Sequence, residues 1–220
     1  MQKELKYIIN QFREDESSLN KIIVSVFVRA NSIQVKKNAL VKSLLISEKS
    51  VLHKTISEIN MPFTFDDVIE AFELSIPNGE KVINGAVYTP SYIKGFIVEH
   101  SLKKIEKPLQ KILAADISCG CGAFLFTFAN KIKAETGKSF SQIFKDNLFG
   151  LDISNSSIER TKILLSLLAI SNREDKPEFE FHLHTGNALS FDWKGTEKKI
   201  KANAGFDLIV GNPPYVRAKN

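Results

Sequence analysis

The second half of this 220-residue chain alternates short apolar runs with helix-like segments, and this alternation limits the possible folds more than any other feature. Each apolar run closes beside a glycine or an acidic residue. Strands that alternate with helices along a chain form a parallel sheet with helices on its faces. The sequence therefore predicts an α/β fold with a doubly wound parallel sheet. Its predicted strands are residues 112–115, 148–153, 178–183 and 206–210, with helices at 123–136 and 156–171.

The first third of the chain is predicted to be helical. The run 21–30 is rich in β-branched residues and could be a strand, but its helix-like flanks favour a buried helix. The turn-rich segment 75–85 predicts a boundary between a helical region, residues 1–80, and the α/β domain, residues 81–220. The other predicted helices are one carrying Leu5, Ile8, Ile9 and Phe12 on one face, two at 39–46 and 51–59, and one from a Thr64 cap to Leu74.

Composition leaves the class of partner open. The formal net charge of +5 and a pI of about 9.1 permit a polyanionic partner without requiring one. Cys119 and Cys121 flank a glycine, so they are expected to be reduced thiols rather than a mutual disulfide. Further zinc ligands are not near them in the sequence. Neither a signal segment nor an uncharged membrane-spanning stretch is found, so a cytoplasmic protein is expected.

Two acidic residues close the first two predicted strands. Asp116 precedes a glycine-rich turn, residues 117–122, that opens a helix, and such a turn allows a ligand to approach the backbone closely. Asp152 ends the second strand, where a carboxylate in nucleoside-binding folds accepts hydrogen bonds from ribose hydroxyls. The structural alternative for the glycine-rich segment is a tight strand-to-helix turn. The structural alternative for Asp152 is a helix N-cap.

Weaker signals lie at other segment ends. Gly186, Asn187, Ala188 and Leu189 follow the third strand and would form the wall beside an adenine ring. His182 and His184 share a face of that strand and are interpreted as structural. Thr89-Pro90 is typical of a helix start, with Thr89 as the cap and Pro90 in the first turn.

The fourth predicted strand delivers Asn212, Pro213, Pro214 and Tyr215 to the carboxyl edge of the sheet. Open α/β sheets bind their ligands at that edge. An amide oxygen and a backbone carbonyl can accept the two hydrogens of a planar amino group, and an aromatic ring can stack on its face. This tetrad is therefore suited to holding a planar amine.

Together these segments resemble the amino-methylating DNA methyltransferases, specifically the N6-adenine enzymes of restriction-modification systems. That family carries Y-T-P, then D-P-A-C-G-S-G-x-F, an acid after strand two, G-(N/D)-x-L and N-P-P-Y, in this order. Ile117, Cys121 and Asn187 depart from the family pattern. The matching residues here are Tyr88 to Pro90, Asp116 to Phe124, Asp152, Asn187 to Leu189, and Asn212 to Tyr215.

The resemblance implies a Rossmann-like core that binds S-adenosyl-L-methionine and methylates an adenine flipped out of duplex DNA. Asn212 and the carbonyl of Pro213 would accept the N6 hydrogens, and Tyr215 would stack on the base; Pro214 belongs to the same implied catalytic tetrad. The implied cofactor-binding residues are Tyr88, Thr89, Asp116, Ser118, Gly120, Gly122, Asp152, Ile153, Asn187 and Ala188. No metal site is expected.

Two alternatives stay open, a methyltransferase acting on RNA or on a protein glutamine, and a non-catalytic methyltransferase-like subunit. The family core has seven strands, of which four are predicted here. The core is therefore expected to be truncated after the fourth strand, and this chain alone is expected to be inactive. A complementing C-terminal half or a specificity subunit is the expected partner.

Overall fold

The structure is a computed structural model that describes residues 3–12, 14–57, 62–75 and 89–213. These residues form two compact units. The first contains the described residues before position 76 together with Asp175–Glu178, and the second contains Thr89–Glu174 and the described residues from Phe179 to Pro213. The turn-rich segment that predicts the boundary lies almost entirely outside the described residues, so the 1–80 and 81–220 division stays a prediction.

The first unit is helical, as predicted. Helix α2 contains the β-branched run 21–30, whose apolar side chains are almost all buried, so the prediction of a buried helix is confirmed. Thr64 caps α5 through a capping box, in which its hydroxyl accepts from the Asp67 amide at 3.2 Å and Asp67 accepts from the Thr64 amide at 2.9 Å. The helices are α1 (Lys3–Phe12), α2 (Glu16–Ala30), α3 (Ala39–Leu44), α4 (Leu52–Ser57) and α5 (Phe65–Leu74).

The second unit is an α/β sheet whose strands run in the order β3-β2-β1-β4, with every neighbouring pair parallel. The predicted fold class is confirmed. The strands are β1 (Ala114–Asp116), β2 (Leu148–Asp152), β3 (His182–Thr185) and β4 (Leu208–Ile209). The helices are α6 (Ser91–Leu102), α7 (Ala123–Thr136), α8 (Phe140–Asp146), α9 (Asn155–Ser171), α10 (Trp193–Thr196) and α11 (Lys198–Ala202), with a 3₁₀ turn at Leu109–Lys111.

The strand β3 begins later than predicted, at His182 rather than at residue 178. Pairing with β2 starts where Phe149 meets His182. The aromatic residues just before it are used differently, because the rings of Phe179 and Phe181 pack against Phe144 of α8 at centroid distances of 5.7 and 5.2 Å. The alternation of Phe179 and Phe181 predicted a strand, but both rings pack against the helix residue Phe144.

The helix α7 ends as predicted. Gly137 closes it in the left-handed conformation, with φ of 70°, and its N–H donates to the Lys133 carbonyl. None of the helices in the described ranges is long and apolar enough to cross a membrane.

Candidate functional site

The carboxyl ends of β1 and β2 meet at one edge of the sheet. Asp116 pairs in register with Gly150, and Asp152 with Thr185 of β3. The predicted glycine turn lies at the same edge because it follows β1 directly. The two acids and the turn, which the sequence placed at separate strand ends, therefore lie together.

Three hydrogen bonds hold the glycine turn, two to β2 and one to α9. The Cys119 N–H donates to the Leu151 carbonyl at 2.9 Å, and the Gly120 N–H donates to Oδ2 of Asp152 at 2.8 Å. The hydroxyl of Thr161, from α9, donates to the Gly120 carbonyl at 2.9 Å. These bonds fix the backbone of the turn, which is the preorganisation that a nucleoside site requires.

Glycine is required at Gly122 and favoured at Gly120 for different structural reasons. Gly122 has a φ of +88°, and a Cβ there would lie 2.7 Å from Cγ2 of Thr161, so packing requires this glycine. Gly120 has a φ of +53°, but a Cβ there would meet no atom of the described chain within 4 Å. The open space beside Gly120 fits a ligand that approaches the backbone closely.

Asp152 uses both carboxylate oxygens within the protein. Oδ2 accepts from Gly120, and Oδ1 accepts from the Ser154 N–H at 2.9 Å. The helix cap is Ser154, so the structural alternative of Asp152 as the N-cap is wrong. A carboxylate offers about four acceptor positions, so this partly exposed group can still accept hydrogen bonds from ribose hydroxyls.

Asp116 is 1% exposed, and its Oδ1 accepts from the Ser118 N–H at 3.0 Å. Burial raises the pKa of its carboxyl to about 7; the bond from Ser118 opposes this rise and the charge of Asp152 adds to it. The buried hydroxyl of Ser118 has no hydrogen-bond partner within the described ranges. The edge thus holds a buried acid and a buried hydroxyl.

Asp116 is expected to make the fold less stable as pH rises. Its folded pKa of about 7 lies above its ordinary value of 3.8. Its stabilising contribution is therefore fully present below about pH 4 and is lost as pH rises through about 7. Chemical denaturation between pH 5 and pH 8 should show a flatter profile for Asp116→Asn than for the wild type. The matched control is Asp66→Asn on α5, which is exposed and should keep the wild-type slope. Equal slopes for wild type and Asp116→Asn would contradict this assignment.

Asn212 follows β4 closely. Two residues before it, the N–H of Val210 donates to the Ala115 carbonyl of β1. Nδ2 of Asn212 donates to the hydroxyl oxygen of Thr89 at 3.1 Å. The prediction that Thr89 caps a helix is wrong, because the cap of α6 is Pro90 and the Thr89 hydroxyl is engaged by Asn212 instead. Pro213 is exposed beside Asn212.

Gly211 explains how β4 reaches the glycine turn. A Cβ at this position would collide with Oδ1 of Asp116 and would lie 3.4 Å from the hydroxyl of Ser118. Only a glycine therefore lets the segment before Asn212 pass this closely over the end of β1. From the sequence, Gly211 marks only the end of the fourth apolar run, and its close approach to Asp116 was not predicted.

Three further predicted cofactor residues, Ile153, Asn187 and Ala188, lie on exposed loops after β2 and β3. Ile153 is 65% exposed directly after Asp152. Asn187 and Ala188 are exposed in the turn after β3, where Oδ1 of Asn187 accepts from the Leu189 N–H at 3.0 Å. Their roles stay predictions. The predicted residues Tyr88, Pro214 and Tyr215 lie outside the described residues.

The histidines of β3 share one carboxylate that sequence reasoning missed. His182 Nδ1 lies 2.9 Å from Oε2 of Glu197, and His184 Nε2 lies 2.6 Å from Oε1. Glu197 is only 8% exposed, and it follows the short helix α10. These contacts support the structural interpretation of both histidines. The part of the chain described here contains no group of three or more His, Cys, Asp or Glu side chains arranged to hold a metal ion.

The cysteines are free, as predicted, and both are buried. Burial raises the pKa of the Cys119 thiol well above its usual range, and the charges of Asp116 and Asp152 add to the shift. The thiol lies 3.9 Å from the Thr161 hydroxyl. Cys119 therefore packs as a neutral group under the turn.

A parallel sheet with a glycine turn after its first strand and an acid after its second has the architecture of a nucleoside-binding α/β protein. Residues 146–220 match the model of the Eco57I restriction-modification methylase family. The type II methyltransferase M.BanIII of Aneurinibacillus aneurinilyticus is 30% identical over 146 residues, which are 61% of this chain and 22% of that protein. The predicted resemblance to restriction-modification methylases is confirmed.

Two solved structures resemble the fold over almost the whole chain. The type IIG restriction endonuclease BpuSI matches 99% of this chain and 27% of its own, with a TM-score of 0.62 and 15% identity. The DrdV–DNA complex matches 94% of this chain and 24% of its own, with a TM-score of 0.57 and 14% identity. The chain thus spans 22% of the length of the curated relative it matches and a similar share of both structures.

Proposed function

We propose that the second unit is the S-adenosyl-L-methionine-binding core of an adenine-N6 DNA methyltransferase from a restriction-modification system. One observation carries the proposal. Asn212 lies at the carboxyl end of β4 and next to Gly211, which passes in contact with Asp116 at the start of the glycine turn. A group that can hold an amine is thereby brought beside the turn that would hold the cofactor.

The residues at the edge fit the cofactor chemically. The open space at Gly120 admits a ligand against the backbone, and the unused lone pairs of Asp152 suit ribose hydroxyls. Ser118 offers a buried hydroxyl that has no partner in the residues described. Asp116 adds a carboxylate whose ionised form would be stabilised by a cationic ligand. Ile153, Asn187 and Ala188 would line the side of the adenine ring, with Tyr88, Thr89 and Gly122 completing the set.

The protein's contribution to the reaction is positioning and electrostatics. When bound, S-adenosyl-L-methionine supplies an electrophilic sulfonium methyl group. Oδ1 of Asn212 and the carbonyl of Pro213 accept the two N6 hydrogens of the target adenine, which localises the nitrogen lone pair. These two acceptors would hold the nitrogen towards the methyl group that the bound cofactor would supply, and the proton lost from the methylated nitrogen would pass to water. Tyr215 would stack on the base.

The proposed partner is duplex DNA with the target adenine flipped out, because N6 cannot be reached inside the base stack. The net charge of +5 is compatible with that polyanion. Within the described ranges β4 pairs only with β1, and Ile209 on it is 53% exposed. We therefore also propose that further polypeptide pairs with the outer edge of β4 before DNA is methylated.

The test has a binding arm and a product arm. Calorimetry should show that the purified chain binds S-adenosyl-L-methionine. The chain should then be expressed, alone and with its neighbouring reading frames, in a host that lacks adenine methylation. Mass spectrometry of nucleosides from the host DNA should detect N6-methyl-2′-deoxyadenosine in at least one of these strains. A folded chain that binds no cofactor would refute the assignment, and methylation of RNA or of a glutamine peptide in place of DNA would refute the substrate.

A further inference from the structure

The side chain of Thr161 reaches from α9 to the glycine turn, 41 positions away in the sequence. Thr161 is fully buried, and its Oγ1 lies 2.9 Å from the carbonyl oxygen of Gly120. A threonine inside a helix commonly donates to a carbonyl of its own preceding turn. Here the single hydroxyl proton goes to Gly120, because a carbonyl oxygen can only accept. The hydroxyl of Thr161 therefore serves the turn and not its own helix.

The same oxygen of Thr161 lies 3.9 Å from Sγ of Cys119. Because the hydroxyl proton is engaged by Gly120, the thiol is the donor in this contact. The backbone of both turn residues is held from the other side by β2, since the Cys119 N–H donates to the Leu151 carbonyl. The Gly120 N–H likewise donates to the carboxylate of Asp152. Two consecutive residues of the turn are thus held by β2 through their N–H groups and by α9 through one side chain.

The methyl group of Thr161 also shapes the turn. A Cβ at Gly122 would lie 2.7 Å from Cγ2 of Thr161, so the threonine side chain fills the space that this glycine leaves. A Cβ at Gly120, in contrast, would meet no atom of the described chain within 4 Å. The turn is therefore packed against Thr161 at Gly122 and open to a ligand at Gly120.

We propose that Thr161 is a positioning residue, whose hydroxyl holds the Gly120 carbonyl and so keeps the glycine turn in the shape that receives S-adenosyl-L-methionine. This proposal rests on the proposed function, since the ligand is the cofactor of that function. Thr161 is fully buried and acts through Gly120. Its loss should therefore weaken cofactor binding. The rate of transfer at saturating cofactor should be kept, because the residues that would hold the target amine follow a different strand, β4.

The binding test compares Thr161→Val, which keeps the shape and removes the hydroxyl, with Thr161→Ser, which keeps the hydroxyl. Calorimetry should show a Kd for S-adenosyl-L-methionine that is roughly three- to tenfold higher in Thr161→Val, and Thr161→Ser should recover most of the loss. In the preparation that methylates DNA, the KM for the cofactor should rise by a similar factor while kcat stays within about twofold. The matched control is Thr136→Val, because the Thr136 hydroxyl donates to the Ile132 carbonyl at 2.6 Å within α7. It should bind the cofactor as wild type does. Equal Kd values in Thr161→Val and wild type, or a loss confined to kcat, would overturn the proposal.

A second measurement needs no ligand. Hydrogen exchange of the Gly120 N–H should be faster in Thr161→Val than in wild type or Thr161→Ser, because the turn loses one of its anchors. The reference is the Gly137 N–H, which donates to the Lys133 carbonyl at the far end of α7 and should keep its wild-type rate. Equal acceleration at both amides would show a general loss of stability and would overturn the positioning role.

Two further outcomes are separable. If Thr161→Val does not fold, Thr161→Ala and Thr161→Ser differ only in the hydroxyl oxygen and make the same comparison, and equal Kd values in that pair would overturn the proposal. If exchange at Gly120 responds as expected while the wild-type chain binds no S-adenosyl-L-methionine, the proposed function fails and the hold of Thr161 on the turn stands.

Discussion

Replacing Asn212 by Ala is expected to lower the rate of methyl transfer by at least roughly 10²-fold, which is the usual cost of removing one aimed polar group from a transition-state site. The amide oxygen would accept one of the two hydrogens of the target amine, and its bond strengthens as charge develops on that nitrogen. The cofactor is held by other residues at the edge. Its affinity should therefore stay within about twofold of wild type.

The measurement is single-turnover transfer to duplex DNA at saturating cofactor, with calorimetry of cofactor binding on the same preparations. Asn130→Ala is the matched control, because the Asn130 amide donates to the Phe126 carbonyl of its own helix, α7, at 3.0 Å. It should transfer at the wild-type rate. Transfer by Asn212→Ala at the rate of this control would refute the mechanism, and a parallel loss of cofactor binding would move Asn212 into the cofactor site.

The sheet was predictable from the sequence because its signals are local. Strands β1, β2 and β4 lie in short, mainly apolar runs, and the residues that end the first two, Asp116 and Asp152, can be recognised without knowing their neighbours in space. Parallel pairing then brings all carboxyl ends to one edge. The buried helix α2 was also predictable, since its β-branched residues lie between helix-like flanks and are buried around the whole helix.

The missed features are contacts between residues far apart in sequence. Nothing near Thr89 indicates that its hydroxyl serves Asn212, because Thr-Pro alone is typical of a helix start. The shared carboxylate of Glu197 lies 15 residues after His182 and on a different element. The late start of β3 has the same origin, because aromatic alternation predicts a strand whether the rings face a sheet or pack against Phe144 of a helix.

Replacing Asp152 by Ala is the second large effect that we expect. The substitution removes the acceptor for the Gly120 N–H of the glycine turn and the acceptor proposed for the ribose hydroxyls. A charge-assisted hydrogen bond contributes about 1.5–3 kcal/mol, so the affinity for S-adenosyl-L-methionine should fall by roughly ten- to a hundredfold. Calorimetry on the folded variant measures this directly. Asp152→Asn, which keeps one amide oxygen, should lose less.

The control for Asp152→Ala must also lose a carboxylate that accepts from a backbone amide, but one with no proposed contact to the cofactor. Asp192 meets this condition, because its Oδ1 accepts from the Gly195 N–H at 2.9 Å beside α10. Asp192→Ala should bind the cofactor as wild type does. Hydrogen exchange separates the two roles of Asp152. Faster exchange of the Gly120 N–H in Asp152→Ala would report the loss of its hydrogen bond to Asp152. If Asp152→Asn keeps that bond, its cofactor affinity reports the ribose contact alone. Equal cofactor affinity in folded Asp152→Ala and wild type would show that the nucleoside binds elsewhere, and it would refute the proposed cofactor site.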